Sequence, residues 1–245
     1  MNFSYSAVWN DTAAMLRANS SLLVAIAGAF FFLPGLLSAY FIPPPEEARD
    51  FAEMVQQMSG YVGRNWHWSL LGNLLNMVGI VAIYLLLLDP PGRTVGGALA
   101  GSVTFLPSYF LLSILLMTIL GIAFLLLIVP CLYLLGRIGV AGAVMTAERR
   151  LNPVAAIGGA FARTKGRGWA VAGLILMVAA AGIVLILAIQ AVLGSIFLLL
   201  GGRDGIGGLL VAVLQAALGA AYSTVLVVLL AAIYRALAAG STSGT

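Results

Sequence analysis

Apolar stretches long enough to cross a bilayer recur from one end of this 245-residue chain to the other. A helix needs about 18 or more such residues to span hydrocarbon. This repetition constrains the fold more than any other feature. Composition agrees: 62% of the residues are hydrophobic and 8% are charged, whereas a soluble domain carries about 25% charged residues. Soluble globular, disordered and fibrous classes are excluded. The length suits one helical membrane domain over residues 1–245, with no room for a separate soluble unit.

The pattern predicts an all-α, polytopic protein with six transmembrane helices, at about 22–42, 70–88, 107–129, 131–146, 169–200 and 206–237. The first run is too long for a secretory leader and no convincing small-residue cleavage site precedes the prolines, so it is read as a span. Pro43, Pro44 and Pro45 end it, and Pro130 marks a tight break between the third and fourth. Short interfacial amphipathic helices are expected between spans. One lies within residues 1–20, with Trp9, Ala13 and Leu16 at helical spacing. A second begins at Glu46, Glu47, Asp50 and Glu53 and carries Phe51, Met54, Val55 and Met58 on one face. Tyr61, Trp66 and Trp68 then mark an interface. A third starts at Asn152-Pro153, a cap followed by proline at the first helical position, and runs to about Thr164. Ala13-Ala14, Ala98 and Ala155-Ala156 each precede a two-span hairpin, which suggests a threefold internal repeat of surface helix plus hairpin.

Six spans place both termini on one side. That side holds Arg17, Arg93, Arg149, Arg150, Arg163, Lys165, Arg167 and Arg235; the other holds Arg49, Arg64 and Arg203. The richer side is expected to be cytoplasmic. Lys165 is the only lysine among the 12 basic residues. With abundant Ala, Gly and Val, this coding bias suggests a bacterium and hence its inner membrane.

Sparse residue types exclude much chemistry. Cys131 is the only cysteine and His67 the only histidine. A zinc site of the usual His/Cys type is therefore out of reach of one chain. A Ser-His-Asp constellation would need His67, and no nucleophile-elbow motif surrounds a serine. No cofactor or metal is expected. The net charge of +4 is small and gives nucleic acid no basic groove.

Five polar span residues stand out. Arg137 is the one charge clearly inside a span, and such a charge is either functional or snorkels to an interface. Counted along the spans, Arg137, Asn73, Asn76, Gln190 and Gln215 all fall in the outer half. Asn73 and Asn76 share a face at i, i+3. Together the five form a candidate polar site for a lipid phosphate or another anion; the other reading is hydrogen-bonded glue between helices. Gly136, Gly139 and Gly142, with Ala141 and Ala143, predict close helix approach. Glu148 lies too far along the helix to pair with Arg137, so a neighbouring arginine is its expected partner. Arg163, Lys165 and Arg167, followed by Trp169, are read as contacts to anionic lipid head groups. The acidic helix is a solvated face or a lid.

One stretch carries a family resemblance. Val129-Pro-Cys-Leu-Tyr-Leu-Leu-Gly-Arg137, then Val144-Met-Thr-Ala-Glu148, then the run from Asn152 through Lys165 to Trp169, resembles the membrane domain associated with glycerophosphoryl diester phosphodiesterases and related bacterial inner-membrane proteins. Cys131 stands where that pattern has glycine. The resemblance covers roughly residues 105–190 and, weakly, Leu33-Pro34-Gly35. It implies a membrane-embedded module with no assigned chemistry, because the catalytic domain of such proteins is a separate soluble unit.

Three functions follow as expectations. The first is a non-catalytic membrane module: a scaffold, an assembly partner or a lipid-organising protein, with membrane lipids, anionic ones included, and other membrane proteins as partners. The second is a transporter or lipid-translocating protein with a polar site in the outer half of the membrane, supported by Pro34-Gly35 and the polar group. The third, an intramembrane enzyme, lacks clustered acids within the spans.

Overall fold

The computed structural model describes residues 3–42, 49–89, 94–203 and 205–242. Pro43, Pro44, Pro45, Glu46, Glu47 and Arg93 lie outside the described residues. Among the described residues the chain is helical, with no strand. Six of its helices are long and apolar enough to cross a membrane. In hydrocarbon a helix meets the backbone's hydrogen-bonding needs within the segment.

Helix α1 (Tyr5–Ala18) is capped by Ser4, whose side chain accepts from the Ala7 N–H, and closes at Asn19, whose N–H donates to the Met15 carbonyl at 3.1 Å. Its buried face is Val8, Thr12 and Met15, while Trp9 faces outward. Helix α2 (Ser20–Phe41) is the first span. Its turn Gly28–Phe32 is π-helical and sits just before Pro34. The proline ring brings no N–H, and widened turns are one way such a helix accommodates the loss.

Helix α3 (Phe51–Leu88) is one continuous rod of 38 residues. The expected surface helix and second span are thus fused, because nothing between Met58 and Leu70 breaks a helix; Gly60 and Gly63 alone do not. Its start is a reciprocal cap: Glu53 N–H donates to Asp50 Oδ1, and Glu53 Oε2 accepts from the Arg49 N–H, each at 2.8 Å. Helix α4 (Val95–Leu126) is likewise unbroken, with Pro107 inside it. In the threefold pattern the first and third short helices are therefore separate elements, and the middle one is continuous with its span.

The break before the fourth span falls at Leu127, which is extended, rather than at Pro130. Pro130 lies in the first turn of α5 (Ile128–Ile138), where a missing N–H costs nothing. After Gly139 and Val140 the chain resumes as α6 (Ala141–Ala147), whose residues through Thr146 are all buried. Gly142 brings α6 against Tyr84 of α3 and Tyr109 of α4. This is the centre of the core.

Helix α7 (Pro153–Arg163) is capped by Asn152, whose side chain accepts from the Val154 and Ala155 N–H groups. It buries Pro153, Ala156 and Ala160 and leaves Val154 exposed. The alanine face docks on the bundle, with Ile157 packed partly buried beside it. Helix α8 (Gly168–Gly201) contains a second π-helical turn, Gln190–Gly194, and forms a hairpin with α9 (Ile206–Thr242). Gly202, at φ 69°, makes the turn between them.

Candidate functional site

Arg137 sits near the end of α5, and its side chain turns toward α7. One guanidinium nitrogen donates to the Phe161 carbonyl at 2.8 Å and another to the Tyr133 hydroxyl at 3.3 Å. The guanidinium carbon lies 4.9 Å from the Phe161 ring centre and 5.8 Å from that of Tyr133. In return, the Thr164 hydroxyl donates to the Arg137 carbonyl at 3.1 Å. Gly168 makes the space: a Cβ there would stand 2.7 Å from Arg137 Cδ. The Nε of Arg137 is buried and without a hydrogen-bond partner. The guanidinium is thus turned into the protein. It lies at the α7 end of the bundle and does not join Asn76 and Gln215, with which the count along the spans groups it. Apart from Tyr133, its partners lie 24 to 31 residues further along the chain, brought beside it as α7 docks on α5 and α6.

Around α7 lies a charged end of the bundle. Glu148 binds Arg163 at 2.6 Å and Arg150 at 2.7 Å, so its partner is an arginine, as expected. Arg163 also stacks over the Tyr234 ring at 5.1 Å. Arg149 pairs with Asp89 at the end of α3, and Arg235 of α9 with Asp11 of α1. Arg163, read from the sequence as a contact to lipid head groups, is paired with a carboxylate here. Lys165 is exposed and Arg167 is half-buried.

The polar residues divide. Asn76 and Gln215 line one cavity of about 290 Å3 between α2, α3 and α9, together with Ser223, Phe31 and Gly35. Asn73 is exposed and does not line it, although it shares the Asn76 face. Gln190 opens the π-helical turn of α8. The hairpin register, with Gly182 against Tyr222 and Gly194 near Val211, puts Gln190 opposite about Gln215, yet it too is outside the cavity. Ser223 was not legible as a site residue; its eight-residue separation from Gln215, which places both on one helical face, was the available signal.

A second, larger space is an apolar groove of about 660 Å3 between α8 and α9, walled by residues such as Met177, Leu185, Leu218 and Val225. Tyr5, Ser6 and Trp9 of α1 close one end. Across it the Tyr222 hydroxyl donates to the Ala179 carbonyl at 3.3 Å. Among the described residues no group of three or more His, Cys, Asp or Glu side chains could hold a metal. No protein-family model, curated protein or solved structure matches the chain.

Proposed function

We propose that the chain is a non-catalytic, multi-pass protein of a bacterial inner membrane that organises lipid, with both termini in the cytoplasm. The observation that carries this reading is the groove between α8 and α9. Its volume of about 660 Å3 falls in the roughly 300–1,000 Å3 range of small-molecule sites. Its walls are alkyl, as an acyl chain requires. Its α1 end carries the aromatic side chains of Tyr5 and Trp9, which favour the head-group level, and the Ser6 hydroxyl. The charged end beside α1 exposes Lys165, Arg149 and Arg150, which favours anionic lipid. The resemblance to the phosphodiesterase-associated membrane domain points the same way, since it implies a membrane module without chemistry of its own.

The test is native mass spectrometry of protein extracted in mild detergent. Wild type is expected to retain lipid. Ala181→Trp, which fills the groove from an exposed wall position, is expected to lose most of it while eluting as a monodisperse species. Equal lipid retention by wild type and variant would overturn the reading.

A further inference from the structure

The cavity between α2, α3 and α9 is separate from the groove and differs from it in chemistry. Its polar wall is two primary amides and a hydroxyl: Asn76, Gln215 and Ser223. Among the described residues neither the Gln215 nor the Ser223 side chain makes a protein hydrogen bond, and the Asn76 side chain makes one long bond, from its amide nitrogen to the Gly72 carbonyl at 3.4 Å. Their polar atoms face open space; Arg137 Nε is the buried side-chain atom without a partner. Unpaired amides in hydrocarbon are costly, so this cluster calls for a polar occupant.

The fold builds the space. The π-helical turn Gly28–Phe32 and Pro34 precede Gly35, which faces Ala216 at 3.8 Å. Missing or minimal side chains at Gly35, Ala39 and Gly219 leave room between three helices. At about 290 Å3 the cavity far exceeds the roughly 10–15 Å3 that one water needs. It is also open on one side, where Gln215 is exposed. No charged side chain lines it. An anion would meet no positive charge and a cation no carboxylate, whereas amides and hydroxyls both donate and accept. We propose that this cavity is a hydrated site for a small uncharged molecule of the polyol or primary-amide class, in place of the anion that Arg137 would have served.

The test uses cysteine chemistry in proteoliposomes, with Cys131 replaced by serine. The cysteine thiolate attacks the sulfenyl sulfur of a methanethiosulfonate, forming a mixed disulfide and releasing methanesulfinate, and the thiolate forms poorly in apolar surroundings. Ser223→Cys is nearly isosteric. Ile183→Cys, exposed on α8 beside the residue that faces Tyr222, is the control at matching depth. The uncharged hydroxyethyl reagent is expected to modify Ser223→Cys about tenfold or more faster than Ile183→Cys, since only the hydrated thiol ionises. Glycerol or acetamide should slow that reaction saturably, and adding Gln215→Leu or Asn76→Leu should abolish the protection. Equal rates at the two positions would show a dry cavity and overturn the proposal. Faster modification by the anionic sulfonate reagent, or protection that does not saturate, would overturn the uncharged class.

Discussion

Arg137 is held by two hydrogen bonds and two ring faces, and its own carbonyl receives the Thr164 hydroxyl. The residue therefore couples α5 to α7 in both directions. Removing the guanidinium leaves the Phe161 carbonyl without this donor, at a cost of about 1–3 kcal/mol. Arg137→Leu is accordingly expected to lower the thermal unfolding temperature in detergent while lipid retention stays at the wild-type level. Arg137→Lys keeps the charge but loses the planar fork and its stacking, and should fall between the two. A loss of lipid without a loss of stability would place Arg137 in a binding site instead. The sequence showed that Arg137 was unusual, because a charge in a span is expensive. It did not show what satisfied it: Phe161, Thr164 and Gly168 are remote in the chain, and no helical spacing rule links them to it.

At the scale of elements, the helix contacts depend on where side chains are missing. Gly136 of α5 lies directly against the Gly168 carbonyl and the Ala172 amide of α8, so even a methyl group would collide with backbone. Gly136→Ala should cost about 1–3 kcal/mol, the usual range for overpacking, whereas Gly121→Ala on α4, where a Cβ meets nothing within 4 Å, should leave the melt unchanged. Equal melts for the two variants would contradict the close α5–α8 contact. The glycines of this span were legible as contact points because small residues permit close approach. Element boundaries were less so. Proline 130 signalled a break, but the chain breaks three residues earlier, leaving the proline in the first turn of α5. Likewise the acidic stretch reads as its own helix from polarity alone. Polarity does not end a helix, and α3 continues through it.

For the whole molecule, charge is segregated. Asp11, Asp89, Glu148 and their arginine partners gather at one end, and the described start of α3 carries Arg49, Asp50 and Glu53. Hydrophobic runs made the six spans legible, since nothing but length and apolarity is needed to identify them. The cavity was half legible: Asn76 and Gln215 stood out as polar residues in spans, but Ser223 and the exclusion of Arg137 depend on how three helices meet. Helix α3 extends about 57 Å at 1.5 Å per residue, well beyond a hydrocarbon core of about 30 Å, so its first turns stand outside the bilayer. The central claim is that six helices cross the membrane and that α7 and the beginning of α3 face opposite compartments. Its most direct test places single cysteines at Ala52 and Ala162, both exposed, in a protein lacking Cys131, and labels intact cells with an impermeant thiol reagent before and after permeabilisation. Ala52→Cys should react in intact cells and Ala162→Cys only after permeabilisation; labelling of both positions from the same side would contradict the account.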